Sequence, residues 1–112
     1  MLAKNFRLSK EGDFKQVFSR GQKIFGKVFI IRLLPNLANN SRICIIVSNK
    51  ISKKATVRNK LKRQVKEVIR QYLPRFRDNF DIIITALPPS LELDYGQLAA
   101  EIIQGLQRSK II

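Results

Sequence analysis

Between Val57 and Leu73 the apolar residues recur at Val57, Leu61, Val65, Val68, Ile69, Tyr72 and Leu73. That spacing predicts an amphipathic helix. At 100° per residue these positions share an arc of about 160°. Arg58, Asn59, Lys62, Arg63, Lys66 and Arg70 fall beside and opposite it. The wider stretch Lys50 to Arg77 holds 11 of the chain's 22 Lys and Arg residues and one carboxylate, Glu67. One helix thus offers an oily face to a core and a cationic face to something anionic. A merely solvated face mixes charge signs to limit repulsion, and this one does not.

The rest of the chain reads as a frame for that helix. A length of 112 residues suits a single domain, 1–112, able to bury a core without disulfides or metals. Residues 1–8 read as an extended basic arm. Ser9 is the expected N-cap of a short helix that ends near Arg20, with Gly21 as its left-handed stop. Phe14, Val17 and Phe18 share a face of it. Residues 23–34 are rich in β-formers and end at Pro35, with Gly26 marking a break. Residues 42–48 form a second strand, apolar enough to be central in a sheet, and the two are expected to pair as an antiparallel hairpin. Thr56 is the expected cap of the basic helix, and Pro74 marks its end. Residues 80–86 are another strand, and Asp94 caps a last helix carrying Leu98, Ile102 and Leu106 on one face. Residues 42–86 make a β-α-β unit with room for a crossover. The sum is a two-layer α+β sandwich.

Charge and absences bound the function. A net charge of +14 and a pI near 10.7 attract polyanions. Nucleic acid leads, with an anionic membrane surface behind it. No apolar run approaches the ~18 residues of a membrane span, and the N-terminus lacks the apolar core of a signal peptide. One cysteine, Cys44, argues against a disulfide framework and for a reducing, intracellular compartment. Inside an apolar strand it behaves as a small hydrophobe. With no His and one Cys, a zinc cluster or a Ser-His or Cys-His nucleophile cannot be assembled from these residues. Asp78 and Asp81 are close in sequence, but they flank a strand start and read as turn residues rather than metal ligands. The chain is a poor candidate for bond chemistry, and no catalytic or metal-ligating residue is assigned.

The cations suit phosphates. Arg58, Lys62, Lys66 and Arg70 step about 6 Å along the helix. Arg supplies a planar fork for phosphate and Lys a point charge. Asn59 can touch a base edge or a 2′-hydroxyl. Lys50, Lys53 and Lys54 extend the patch into the preceding loop, where the helix N-terminus adds its own N–H groups. Phe14 and Phe18 fit either core packing or a stacking platform for unpaired bases. Four functional classes remain open on these residues: a cofactor of a catalytic RNA, a ribosomal protein, a DNA-binding regulator, and a metal-dependent nuclease built on Asp78 and Asp81.

The run Lys54-Ala55-Thr56-Val57-Arg58-Asn59-Lys60-Leu61-Lys62-Arg63-Gln64-Val65-Lys66-Glu67 resembles the Arg-Asn-Arg motif region of the bacterial ribonuclease P protein subunit. Asn5-Phe6-Arg7-Leu8 with Asp13-Phe14-Lys15-Gln16-Val17-Phe18 and Gly21 is similar to that family's N-terminal helix. Ile45-Ile46-Val47-Ser48-Asn49-Lys50, Asp81-Ile82-Ile83-Ile84 and the closing helix also fit. The resemblance implies an αβββαβα sandwich of the ribosomal protein S5 domain 2-like kind, with a left-handed βαβ crossover where pattern alone favours a right-handed one. It implies a non-catalytic subunit that binds the ribonuclease P RNA, which cleaves the 5′ leader from precursor tRNA with Mg²⁺. It implies no membrane partner, a monomer within the holoenzyme and a cytoplasmic setting. Carried over, Lys50, Lys53, Lys54, Arg58, Asn59, Lys60, Lys62, Arg63, Lys66 and Arg70 bind RNA, and Phe14, Phe18 and Arg32 line a leader cleft. Lys60 replaces the motif's usual Arg, Asn49 a common Lys, and Arg32 an aromatic residue.

Overall fold

The structure, a computed structural model, describes residues 7–8, 10–38 and 40–112. The elements run in the order αβββαβα: α1 Glu11–Arg20, β1 Gln22–Phe25, β2 Phe29–Pro35, β3 Arg42–Ile46, α2 Ala55–Tyr72, β4 Phe80–Ala86 and α3 Tyr95–Arg108. The strands form one mixed sheet in the order β1-β2-β4-β3. β4 is antiparallel to β2 and parallel to β3.

β4 is central because its residues are buried on both sides. Ile82, Ile83 and Ile84 are fully buried in succession, the run expected of a strand covered on two faces. Ile82, Ile84 and Ala86 join Phe29, Ile31, Leu33, Ile43 and Ile45 in a core shared with Leu61, Val65, Val68 and Ile69 of α2 and Leu98, Ile102 and Leu106 of α3. Ile83 points the other way, into a smaller cluster with Leu8 and Val17, flanked by Phe14, Leu34, Cys44 and Ile46. Two helices therefore cover one face of the sheet, and α1 covers part of the opposite face. α3 lies so close to β2 that a Cβ at Gly105 would come within 2.5 Å of Ile31 Cδ1.

Several expectations change. The hairpin is formed by β1 and β2, with Gln22 opposite Leu33 and Phe25 opposite Ile30. It is not formed by residues 23–34 with 42–48. The break at Gly26 supplies the turn, and β4 inserts between β2 and β3. β3 is an edge strand rather than a central one. Its outer side takes a parallel bridge between Arg7 and Ile43, where the Leu8 N–H donates to the Ile43 carbonyl at 3.0 Å. Residues 1–6 of the expected arm and the expected cap Ser9 lie outside the described residues, and α1 starts after Lys10.

Gly21 is not left-handed. Its φ of −74° and ψ of 153° are extended. Glycine is needed there for space, because a Cβ would collide with the Val17 carbonyl and meet the Leu33 carbonyl at 3.0 Å. Thr56 lies inside α2, whose N-cap is Lys54 with no capping side chain. The Asp94 cap holds and forms a reciprocal box with Gln97. Asp81 sits within β4, buried, and not in a turn.

Candidate nucleic-acid interface

α2 buries Leu61, Val65, Val68 and Ile69 and turns its cations outward. Asn59, Lys60, Arg63 and Arg70 are exposed, while Arg58, Lys62 and Lys66 are half-buried. Lys60, Lys62, Arg63 and Lys66 enter no ion pair among the described residues. The row Arg58, Lys62, Lys66, Arg70 is not uniform. Arg58 Nη1 donates to the Ser52 carbonyl at 2.9 Å, which pins the preceding loop and leaves the positive charge uncompensated. Arg70 donates twice to Glu67, at 2.6 and 3.1 Å. Those hydrogen bonds, with a third from Gln71, hold the Glu67 carboxyl down at about 2. Arg70 is therefore the one cation of the row whose charge is matched within the described residues.

Before α2, the Ser52 hydroxyl accepts from the Lys54 N–H at 3.2 Å, and the Ile51 N–H donates to the Ser48 carbonyl. The loop folds into an open depression of about 470 Å³ lined by Asn49, Lys50, Lys53 and Arg58. Lys50, Lys53 and Lys54 are all exposed. With no capping side chain, the first-turn N–H groups of α2 add their partial positive charge to that depression.

The second part of the interface lies on the α1 side of the sheet. Phe18 is 45% exposed. Arg32 projects from β2 on the same side and sets its guanidinium carbon 4.8 Å from the centre of the Phe18 ring. Arg32 Nη1 donates to Thr85 Oγ1 of β4 at 3.3 Å, and its Nε is buried without a partner among the described residues. Phe14 lies deeper, half-buried against the cluster around Val17 and Ile83. On this side of the sheet Phe14, Cys44 and Ile46 thus pack around the small cluster, and Phe18 and Arg32 stack beside it.

Cys44 connects the two parts. Burial pushes its thiol up, while the charges of Lys62 and Lys66 oppose that shift. The two lysines are therefore within electrostatic reach of the α1-side face, around the β3 edge.

Sequence reading missed the clamp that holds α1 in place. Arg42, at the start of β3, donates to Asp81 through Nε at 2.8 Å and Nη2 at 2.7 Å, and to Asp13 of α1 through Nη1 at 3.0 Å. The bonds to Asp81, foremost, raise the Arg42 pKa. Asn36 Nδ2 donates to the same Asp81 oxygen as Arg42 Nε, at 2.8 Å. Asp78 accepts from the Asn79 N–H instead. The two carboxylates once considered as a metal pair are thus separately engaged, and the described residues contain no group of three or more His, Cys, Asp or Glu that could hold a metal ion. Thr85 was missed too. Only the β2–β4 register, which places it opposite Ile30, brings it to Arg32.

Fold and site together define a class: a small, basic α+β protein that presents cations along one helix and an aromatic–arginine pair on the other side of the sheet. The family model described as Ribonuclease P matches residues 2–110. The chain belongs to the ribonuclease P protein family. It is 38% identical to the ribonuclease P protein component of a Synechocystis species, over 99% of this chain and 90% of that protein. It is 36% identical to that of Microcystis aeruginosa, over 95% and 92%. Among solved structures, the RNase P protein of Thermotoga maritima matches with a TM-score of 0.82 and 30% identity, covering 91% of this chain and 96% of that one. The Staphylococcus aureus RNase P protein matches with a TM-score of 0.86 and 25% identity, covering 95% and 96%. The chain is accordingly a component of ribonuclease P, an endoribonuclease of tRNA processing, with the ribonuclease P RNA as its partner. No helix among the described residues is long and apolar enough to cross a membrane.

Proposed function

We propose that this chain is the non-catalytic subunit of the holoenzyme: α2 and the loop before it bind the catalytic RNA, and the α1–sheet cleft holds the 5′ leader of precursor tRNA. The observation that carries this reading is the run of cations on α2 without ion pairs among the described residues, together with an exposed Phe18 under Arg32 on the α1 side of the sheet. Cations neutralise phosphates, and aromatic and guanidinium faces stack on unpaired bases. The bond chemistry is assigned to Mg²⁺ ions on the RNA, which activate water and stabilise the oxygens of the displacement. The protein contributes by screening phosphate repulsion, so that less Mg²⁺ is needed, and by holding the leader in line. Within the holoenzyme it acts as a monomer, in the cytoplasm.

Reconstitution with a bacterial ribonuclease P RNA tests this. At low Mg²⁺ the chain is expected to restore cleavage of precursor tRNA. Cleavage by the protein alone with Mg²⁺ would sink the assignment. Arg58→Ala or Lys62→Ala is expected to weaken RNA binding and flatten its salt dependence by up to about one unit of slope.

A further inference from the structure

On the flank of α2 away from Lys62 and Lys66, a groove of about 430 Å³ runs between α2 and the turn that leads into α3. It lies within the roughly 300–1,000 Å³ of small-ligand sites. Val57, Lys60 and Gln64 line it from α2, and Ser90, Leu91 and Tyr95 from the other side. Three features of this groove bear on a ligand. Leu91 and Tyr95 are each 40% exposed, two of the few large apolar side chains left in solvent. Ser90 is 1% exposed, and its hydroxyl has no partner among the described residues. An unpaired buried hydroxyl is costly unless something bonds to it. Lys60 is exposed and enters no ion pair there, and it stands about 200° around the helix from Lys62. An RNA strand confined to the β3 flank would leave it idle.

We propose that this groove takes an unpaired nucleotide of the ribonuclease P RNA. The base lies against Tyr95 and Leu91, its polar edge meets the Ser90 hydroxyl and the Gln64 amide, and Lys60 pairs with its phosphate. One carboxylate, Asp94, is at the rim. Its Oδ1 already accepts from the Gln97 N–H at 2.8 Å, so it can accept base N–H groups through its other oxygen. α2 would then be gripped on two flanks, with Arg63 and Asn59 on the crest between them. This site rests on the RNA-binding reading of α2.

The test measures affinity for the ribonuclease P RNA in Tyr95→Ala, Leu91→Ser, Tyr95→Phe and Lys62→Ala proteins, each first shown to melt like the parent. Tyr95→Ala is expected to bind about 5- to 150-fold more weakly, the range of one lost base stack, with Leu91→Ser also weakened and Tyr95→Phe near the parent. A photo-cross-linking benzoylphenylalanine at position 91 is expected to mark unpaired nucleotides of the RNA. Loss in Lys62→Ala alone, with Tyr95→Ala and Leu91→Ser unchanged, overturns this inference and leaves the basic-helix reading standing. No loss in any of them overturns both. Self-association of the free protein that Leu91→Ser abolishes, with RNA affinity unchanged, would give the groove to a second copy of the chain and overturn it as well.

Discussion

Arg32 and Phe18 hold each other: the guanidinium lies over the ring at 4.8 Å, and Thr85 fixes its other end from the neighbouring strand. The pair sits on the α1 side of the sheet with one face open. Phe18 keeps close to half its surface in solvent. A stacked pair with an open face can take a base on the ring or on the guanidinium. Phe18→Ala and Arg32→Ala are each expected to lower the affinity for leader-bearing precursor tRNA about 5- to 150-fold and to leave mature tRNA nearly unaffected. The double variant should lose less than the sum, because the two side chains act as one surface. Titration of the holoenzyme with both tRNAs reads this directly, and equal losses for the two would place the pair outside the leader path.

Arg42 is the residue on which α1 depends. It bonds a buried carboxylate, Asp81, twice and the helix carboxylate Asp13 once. Asp81 is buried beneath Arg42, and Arg42→Ala leaves its carboxylate with Asn36 as its remaining side-chain partner. A cost of about 3–5 kcal/mol in urea unfolding is expected, the range for breaking a buried pair. Asp13→Ala removes a partly exposed partner and should cost about 1 kcal/mol. The same Asp13→Ala protein should weaken leader binding more than RNA binding, because it loosens the start of α1 while α2 stays in place.

How far the sequence reveals this molecule depends on what is local. The faces of α2 follow from spacing alone: of the apolar stripe, Leu61, Val65, Val68 and Ile69 fill the core, Tyr72 and Leu73 pack at its margin, and Val57 lines the groove toward α3. Strand order does not follow. A period of two says which side chains share a face, not which strands are neighbours, and the β2–β4 pairing joins residues about fifty positions apart. The apolar run of β3 reads as a central strand because both of its faces are covered, yet only one of its edges meets another full strand. Gly21 reads as a helix stop, but its need is for room beside two carbonyls. The site divides in the same way. Lys62 and Lys66 are visible as cations, whereas the Arg32–Thr85 bond and the Arg42 clamp require the register of non-adjacent strands.

Glu67 mutes Arg70. The exposed pair is joined by two hydrogen bonds, and the carboxyl is lowered to about 2. A depressed carboxyl keeps its pairing above the ordinary value near 4.3 and loses it only as pH falls through about 2. RNA affinity between about pH 5 and about pH 8 should therefore be flat with respect to this group. Glu67→Gln removes the negative charge and frees Arg70. Tighter RNA binding is expected, with a salt slope steeper by up to about one unit. A slope that does not change would show that Arg70 stands away from the phosphates.

Cys44 faces the α1 side of the sheet and still feels the charges of Lys62 and Lys66. Burial raises its thiol pKa, and Lys62 and Lys66 work against that rise by favouring the thiolate. At neutral pH the thiol is therefore protonated and slow to alkylate, since the thiolate is the nucleophile. Removing either lysine takes away a cation that favours ionisation, so Lys62→Ala and Lys66→Ala should slow iodoacetamide further and move the pH midpoint of the reaction upward. Cys44 is half-buried on the sheet face that α1 partly covers, with Ile46 beside it. Leader-bearing RNA should protect it, whereas an RNA that fills only the α2 surface should slow it by lowering the local positive potential without blocking access. A neutral alkylating agent on the free protein, on the protein with ribonuclease P RNA, and on the ternary complex separates the two effects. Equal rates in all three would place the bound RNA away from the β3 side of the cleft.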